Sequence, residues 1–107
     1  MLRAAVSIRV TCGPYVLRLL RAPTMRHYPS VWANAGGSVE DGEMPAQAAV
    51  RELAEETGIC APPHVLVYTH MCVEAPFHVR HYTLDINRMV EPVLNSEHVA
   101  WEWVRTH

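Results

Sequence analysis

The chain has 107 residues, half of them hydrophobic and 19% charged, which suits one globular domain, residues 1–107, built around one core. Its formal net charge of −2 supplies no strong field toward nucleic acid or an anionic membrane, so neither a nucleic acid polymer nor a bilayer is an expected partner. The nine basic residues are all Arg and form no cluster. Cys12, Cys60 and Cys72 are odd in number, widely spaced and without a CxxC pair. Neither a disulfide framework nor a zinc site is expected from them, and a reduced compartment fits. No signal-peptide pattern is visible, and nothing approaches the ~20 apolar residues of a membrane span. Both observations point to the cytoplasm.

In chain order, Arg3 to Thr11 alternates imperfectly, with Ala4, Val6, Ile8 and Val10 on one side, the period-2 pattern of a half-buried strand. Gly13-Pro14 breaks it, and Tyr15 to Arg21 reads as a second strand that completes a hairpin. Ala22 to Ser30 carries Pro23, Arg26, His27 and Pro29 without periodicity and is read as an exposed loop. Val31-Trp32-Ala33 leads into Gly36-Gly37, read as a turn whose glycines permit positive φ and close approach to a ligand. Glu43 to Thr57 is the clearest helix: Pro45 suits a first turn, acids near its start suit the macrodipole, and Gly58 is a C-terminal stop. Ala46, Ala49, Val50, Leu53 and Thr57 recur at helical spacing as its core face.

Pro62-Pro63 implies an extended connector. Val65 to Glu74 and Val79 to Asn87 read as two strands, Arg88 to Glu97 as irregular, and Val99 to Val104 as a last strand. One long helix among five or six strands predicts an α/β domain.

The chemistry is concentrated between Gly36 and Ile59. Five of the eleven acidic residues lie between Asp41 and Glu56, with one Arg among them. Glu52, Glu55 and Glu56 are spaced i, i+3 and i+4, which gathers three carboxylates on one helical face, read as lying off the apolar stripe. Such a set repels itself unless a cation sits within it. Oxygen-only donors suit the hard cations Mg²⁺ or Mn²⁺ and disfavour zinc. Arg51 is placed to pair with one carboxylate and fix its rotamer. A merely solvated acidic face is the competing reading. Against it, no Lys or Arg follows these acids at i+4, and the helix follows a Gly-Gly segment of the kind that places a backbone group on a ligand.

The run Gly37-x5-Glu43-x7-Arg51-Glu52-Leu53-x-Glu55-Glu56-x-Gly58-Ile59 resembles the Nudix box, with nine fixed positions filled across 23 residues. The resemblance implies an α/β/α sandwich with a mixed sheet. It also implies a hydrolase of nucleoside diphosphates linked to another moiety, dependent on Mg²⁺ or Mn²⁺. Carried over residue by residue, Glu52, Glu55 and Glu56 would be metal ligands, joined by the carbonyl of Gly36, while Arg51 and Glu43 would orient the ligating carboxylates. Glu97-His98, with Trp101 and Trp103 behind, resembles a stretch before the last strand of many members. Glu97 would there be a base, an extra ligand or a contact to a nucleobase, against a plain turn-capping role.

Two departures stand out. Ala35 replaces a proline common before the Gly pair. The C-terminal helix usual in the family is absent or truncated, since the chain ends three residues after Val104. An apolar sheet face left open in this way would suit a homodimer. Specificity is expected outside the box, in Arg26 to Trp32 and around Glu97. Trp32 would stack a base or pack the core, Arg26, His27 and Tyr28 would meet substrate or only solvent, and Gly37 would approach the substrate through its backbone. Arg80, His78 and His81 share a strand, and Glu74 and Glu91 are weaker acidic candidates. The expected substrate is a nucleotide small molecule, first a nucleoside triphosphate cleaved to monophosphate and pyrophosphate, with ADP-ribose or a nucleotide sugar as the alternative. A non-catalytic nucleotide-binding module is a third reading, which the intact carboxylates oppose.

Overall fold

The computed structural model describes residues 1–106. Strands β1 (Arg3–Cys12), β2 (Tyr15–Arg21), β3 (Trp32–Ala33) and β4 (Ala35–Ser38) precede the helix α1 (Pro45–Thr57). A short 3-10 turn (Pro63–Val65) follows, then β5 (Val67–Glu74), β6 (Phe77–Asp85) and β7 (His98–Arg105). The strands form one mixed seven-stranded sheet. The backbone thus has the mixed α/β architecture expected, with α1 the one α-helix among the described residues.

β1 is the axis of the sheet. One edge runs parallel to β6 from Arg3↔Phe77 to Thr11↔Asp85. The other is divided: the tip pairs with β2 only at Thr11↔Val16 and Cys12↔Tyr15, and Ala5 to Ile8 pair with β4. β2 therefore leaves β1 after the hairpin turn and takes β3 and β7 as its partners. This divergence of β2 from β1 opens the space in which the site lies. β5 returns antiparallel along β6 as an edge strand, so the two strands read from sequence form a hairpin.

α1 packs on β1 and β4. Pro45 stands at the helix start as anticipated, and the Gln47 side chain accepts a hydrogen bond from the Met44 amide (2.9 Å). At the other end Gly58 has φ 76°, the left-handed conformation that glycine takes without strain, and its amide closes on Ala54 (3.0 Å). Val6, Ile8 and Val10 of β1, Leu17 and Leu19 of β2 and Ala48, Ala49 and Leu53 of α1 form the core.

Four sequence expectations change. The helix begins at Pro45, so Glu43 lies ahead of it and the first turn has no acid. Gly36 and Gly37 lie in β4, not in a turn, and neither has positive φ. Pro63 opens a 3-10 turn where an extended connector was expected. The buried stripe of α1 runs through Ala48, Ala49, Glu52, Leu53, Glu56 and Thr57, so two of the carboxylates thought to lie off the core are within it.

Candidate active site

Glu52 and Glu56 are adjacent on the buried face of α1 because residues four apart stack on successive turns. Glu56 is 1% exposed and Glu52 8%. Burying acids at this end of a helix is unfavourable twice over: they lose water, and they sit near the negative pole of the macrodipole with no basic residue in the last turn. Glu97, just ahead of β7, brings a third carboxylate, and an oxygen from each of Glu52, Glu56 and Glu97 lies within 4.8 Å of the others.

Each acid is held from behind. The Gly36 amide donates to Glu56 Oε1 (3.2 Å). Glu97 is fastened by Asn95, whose Nδ2 donates to Glu97 Oε2 (3.2 Å) and whose Oδ1 accepts from the Glu97 amide (3.0 Å). Arg51 Nη1 donates to Glu52 Oε1 (2.8 Å). The same guanidinium grips Glu43 with two bonds, Nε to Oε2 (2.8 Å) and Nη2 to Oε1 (3.0 Å), and donates to the Ser38 carbonyl (3.0 Å). The Glu43 carboxylate, bonded first by Arg51 and second by the Glu40 amide, has its pKa pulled down to about 2, and the guanidinium is pushed further up its range by Glu43.

Glu56 is shifted the opposite way, well above the ordinary carboxylate range, first by burial and then by the neighbouring Glu52. Its Oε2 has no hydrogen-bond partner among the described residues. His98 does not relieve it. The ring is fully buried with Nδ1 3.6 Å from Glu56 Oε1, and burial, with Arg21 nearby, lowers its pKa. The contact is one between a neutral imidazole and a carboxyl group, not an ion pair. A buried carboxylate oxygen left without a partner, in a set made only of carboxylates, fits a hard divalent cation better than any protein donor present.

Glu55 stands apart. Its side chain is 51% exposed and meets Arg51 Nη1 at 3.4 Å, so this acid does have an i,i+4 basic partner, one that precedes it in sequence. The structure joins Glu52 and Glu56 with Glu97 in one cluster and leaves Glu55 outside.

The glycines do matter, by absence of a side chain and not by φ. A Cβ on Gly37 would fall 2.6 Å from the Glu52 carboxyl carbon, and one on Gly36 would overlap the Val6 carbonyl oxygen. Gly37 and Gly36 line a cleft of about 390 Å³ together with Glu52, Glu97, Asn34 and Ser7. Met25, His27 and Tyr28 form another part of the wall, and Glu74 and Phe77 close it from the β5–β6 hairpin. Arg26 is exposed between two of these wall residues, and Trp32 is 38% exposed on β3; neither is part of the lining.

Arg21 and Asn95 were not singled out as site residues from sequence. Arg21 Nε donates to the carbonyls of His27 (3.0 Å) and Tyr28 (3.1 Å), which fastens the loop wall. A strand position carrying Arg gives no sign of the loop it will hold, whereas Asn95, two residues before Glu97, had a readable signal as a turn residue that caps its own backbone.

The chain is 39% identical over 83 residues to an octanoyltransferase of Myxococcus xanthus, with 68% of this chain and 22% of that protein covered. It is 37% identical over 73 residues to an 8-oxo-dGTP diphosphatase of Proteus vulgaris, with 68% of this chain and 62% of that protein covered. The chain thus spans under two thirds of either relative. The structure of the dihydroneopterin triphosphate pyrophosphohydrolase of E. coli superposes with a TM-score of 0.77 at 22% identity, over 98% of this chain and 83% of that one. The NUDIX domain family matches residues 1–107, and the chain belongs to it.

Proposed function

We propose that this chain is a metal-dependent pyrophosphohydrolase that cleaves a nucleoside triphosphate to monophosphate and pyrophosphate. The observation that carries the reading is the convergence of Glu52, Glu56 and Glu97 within 4.8 Å around an unpartnered, fully buried Glu56 oxygen. A bound Mg²⁺ or Mn²⁺ would neutralise phosphate charge and lower the pKa of an attacking water. Glu52 and Glu56 are its principal ligands in this proposal, with the Gly36 carbonyl and Glu55 at the margin of the site.

The remaining residues position and move protons. Arg51 directs one Glu52 oxygen and leaves the other free toward the cleft, and Glu43 keeps Arg51 from swinging away. Glu97, held by Asn95 at the mouth of the site, is placed to take the proton of the attacking water. Gly37 lets the phosphate chain lie against the β4 backbone. Tyr28 and Phe77 offer ring surfaces for the base, with Arg26 and Trp32 outside these walls, where a longer substituent would reach them.

The 8-oxo-dGTP diphosphatase relative, whose match spans the larger share of its own length, supports a nucleoside triphosphate. Incubation with a panel of nucleoside triphosphates, ADP-ribose and nucleotide sugars, with Mg²⁺ and with Mn²⁺, decides it by product identification. Monophosphate and pyrophosphate from a triphosphate is the expected result. Turnover of ADP-ribose alone would replace the substrate class, and turnover of nothing would favour a nucleotide-binding module. We further propose that the chain acts as one domain, in the cytoplasm; no described helix is long and apolar enough to cross a membrane.

A further inference from the structure

The β5–β6 hairpin carries a second convergence of ligating atoms, distinct from the carboxylate cluster and unused by the hydrolytic reading. His70, Cys72 and His81 each offer a donor atom, all within 4.8 Å of one another. Cys72 Sγ is 3.1 Å from His81 Nε2 and 3.2 Å from Glu74 Oε2, and His81 Nε2 lies 3.6 Å from that same Glu74 oxygen. The His70 and His81 rings stack with centroids 4.5 Å apart and planes 6° apart.

Strand register produces this arrangement. His70, Cys72 and Glu74 alternate along β5 and so share one face. A bulge between Tyr68 and His70 shifts the pairing by one, so that Tyr68 opposes Tyr82 while His70 opposes His81. Without the extra residue His70 would oppose Arg80. The bulged Thr69 then ties the two residues together: its hydroxyl donates to the His81 backbone carbonyl (3.0 Å) and lies 3.0 Å from His70 Nδ1. With its one hydrogen spent on the carbonyl, Thr69 accepts from Nδ1–H, which leaves the lone pair of His70 on Nε2. Such an outer partner is what a ligating histidine requires.

Two imidazole nitrogens, one sulfur and an adjacent carboxylate make a softer set than the carboxylates of Glu52, Glu56 and Glu97, and Zn²⁺ is the ion that fits it. Tetrahedral Zn²⁺ with ordinary Zn–N and Zn–S bonds separates its donors by about 3.3–3.6 Å. The spacings of 3.1, 3.2 and 3.6 Å reach that range with small side-chain movements.

We propose that His70, Cys72 and His81, with Glu74 as a fourth donor, form a Zn²⁺ site on the β5–β6 hairpin. Binding takes the Cys72 proton to solvent and puts a thiolate–zinc bond in place of the thiol's hydrogen bond to Glu74. Because Glu74 also lines the cleft, the ion would tie the hairpin wall to one position. The missing CxxC concealed this site, since its ligands come from two strands and depend on a bulge.

The test is a Co²⁺ titration of the reduced, chelator-stripped protein at saturating Mg²⁺. One equivalent should produce a near-ultraviolet thiolate-to-Co²⁺ charge-transfer band that Zn²⁺ abolishes, and Zn²⁺ should raise Tm. Cys72→Ser should lose the band and the Zn²⁺-dependent Tm rise while keeping the metal-free circular dichroism spectrum. Thr69→Val should weaken Co²⁺ binding about 10–100-fold, and Glu56→Gln should leave the band unchanged. No band in the wild-type protein, a band that survives Cys72→Ser, or one lost in a folded Glu56→Gln variant would overturn the proposal.

Discussion

Arg51 is the residue on which the carboxylates depend, since one guanidinium bonds Glu43, Glu52 and the Ser38 carbonyl together. Lysine has the charge without the fork, and its three donors cannot replace the two bonds to Glu43 together with those to Glu52 and Ser38. Arg51→Lys should lower kcat by about 10–100-fold, the usual cost of disturbing an outer partner of a metal ligand, with Mn²⁺ affinity in calorimetry falling in parallel. The Glu43 side of the pair sets a pH dependence. A carboxylate whose folded pKa is depressed adds stability above its unfolded pKa and loses it as pH falls through the folded value. Glu43→Gln should therefore be less stable than wild type at pH 7, and the gap should close between about 4.5 and about 2, as denaturant midpoints across that range will show. The two glycines separate function from folding. Gly37→Ala presses on the movable end of Glu52 and should reduce kcat with little change in Tm. Gly36→Ala meets fixed backbone at Val6 and should cost about 1–3 kcal/mol of stability.

At the scale of elements, α1 serves two ends with one face. Its buried stripe supplies both the core residues Ala49 and Leu53 and the carboxylates Glu52 and Glu56. Leu53→Ala should destabilise by about 2–5 kcal/mol, read from unfolding midpoints, and the loosened helix should also weaken metal binding, because Glu52 is its neighbour on the same turn. The helix, the β1–β2 hairpin and the three later strands were legible in sequence, since periodicity reports local geometry directly. What was misread had non-local causes. Glu52 and Glu56 count as polar in any pattern, so their burial was invisible until β4 lay against them. Gly36-Gly37 has the composition of a turn, yet β1 pairs with it and makes it a strand. The exclusion of Glu55 from the cluster could not be seen either, because helical spacing places three acids together and does not say that the buried face of α1 takes Glu52 and Glu56 and leaves Glu55 exposed.

In the whole molecule, the site exists because β2 diverges from β1, so that a strand from the first third of the chain, the helix from its middle and the loop before β7 meet at one cleft. Nine fixed positions identified the family and included two of the three clustered carboxylates, Glu52 and Glu56. They carried no information about the wall made by Met25, His27, Tyr28 and Phe77, which the sheet assembles from segments far apart in sequence. The central claim is that the buried carboxylates hold the reacting centre, and the most direct test compares hydrolysis of a nucleoside triphosphate by wild type and by Glu56→Gln at saturating Mn²⁺. Wild-type turnover with a severe loss of it in the folded variant is the predicted result. Equal rates for the two proteins would contradict it.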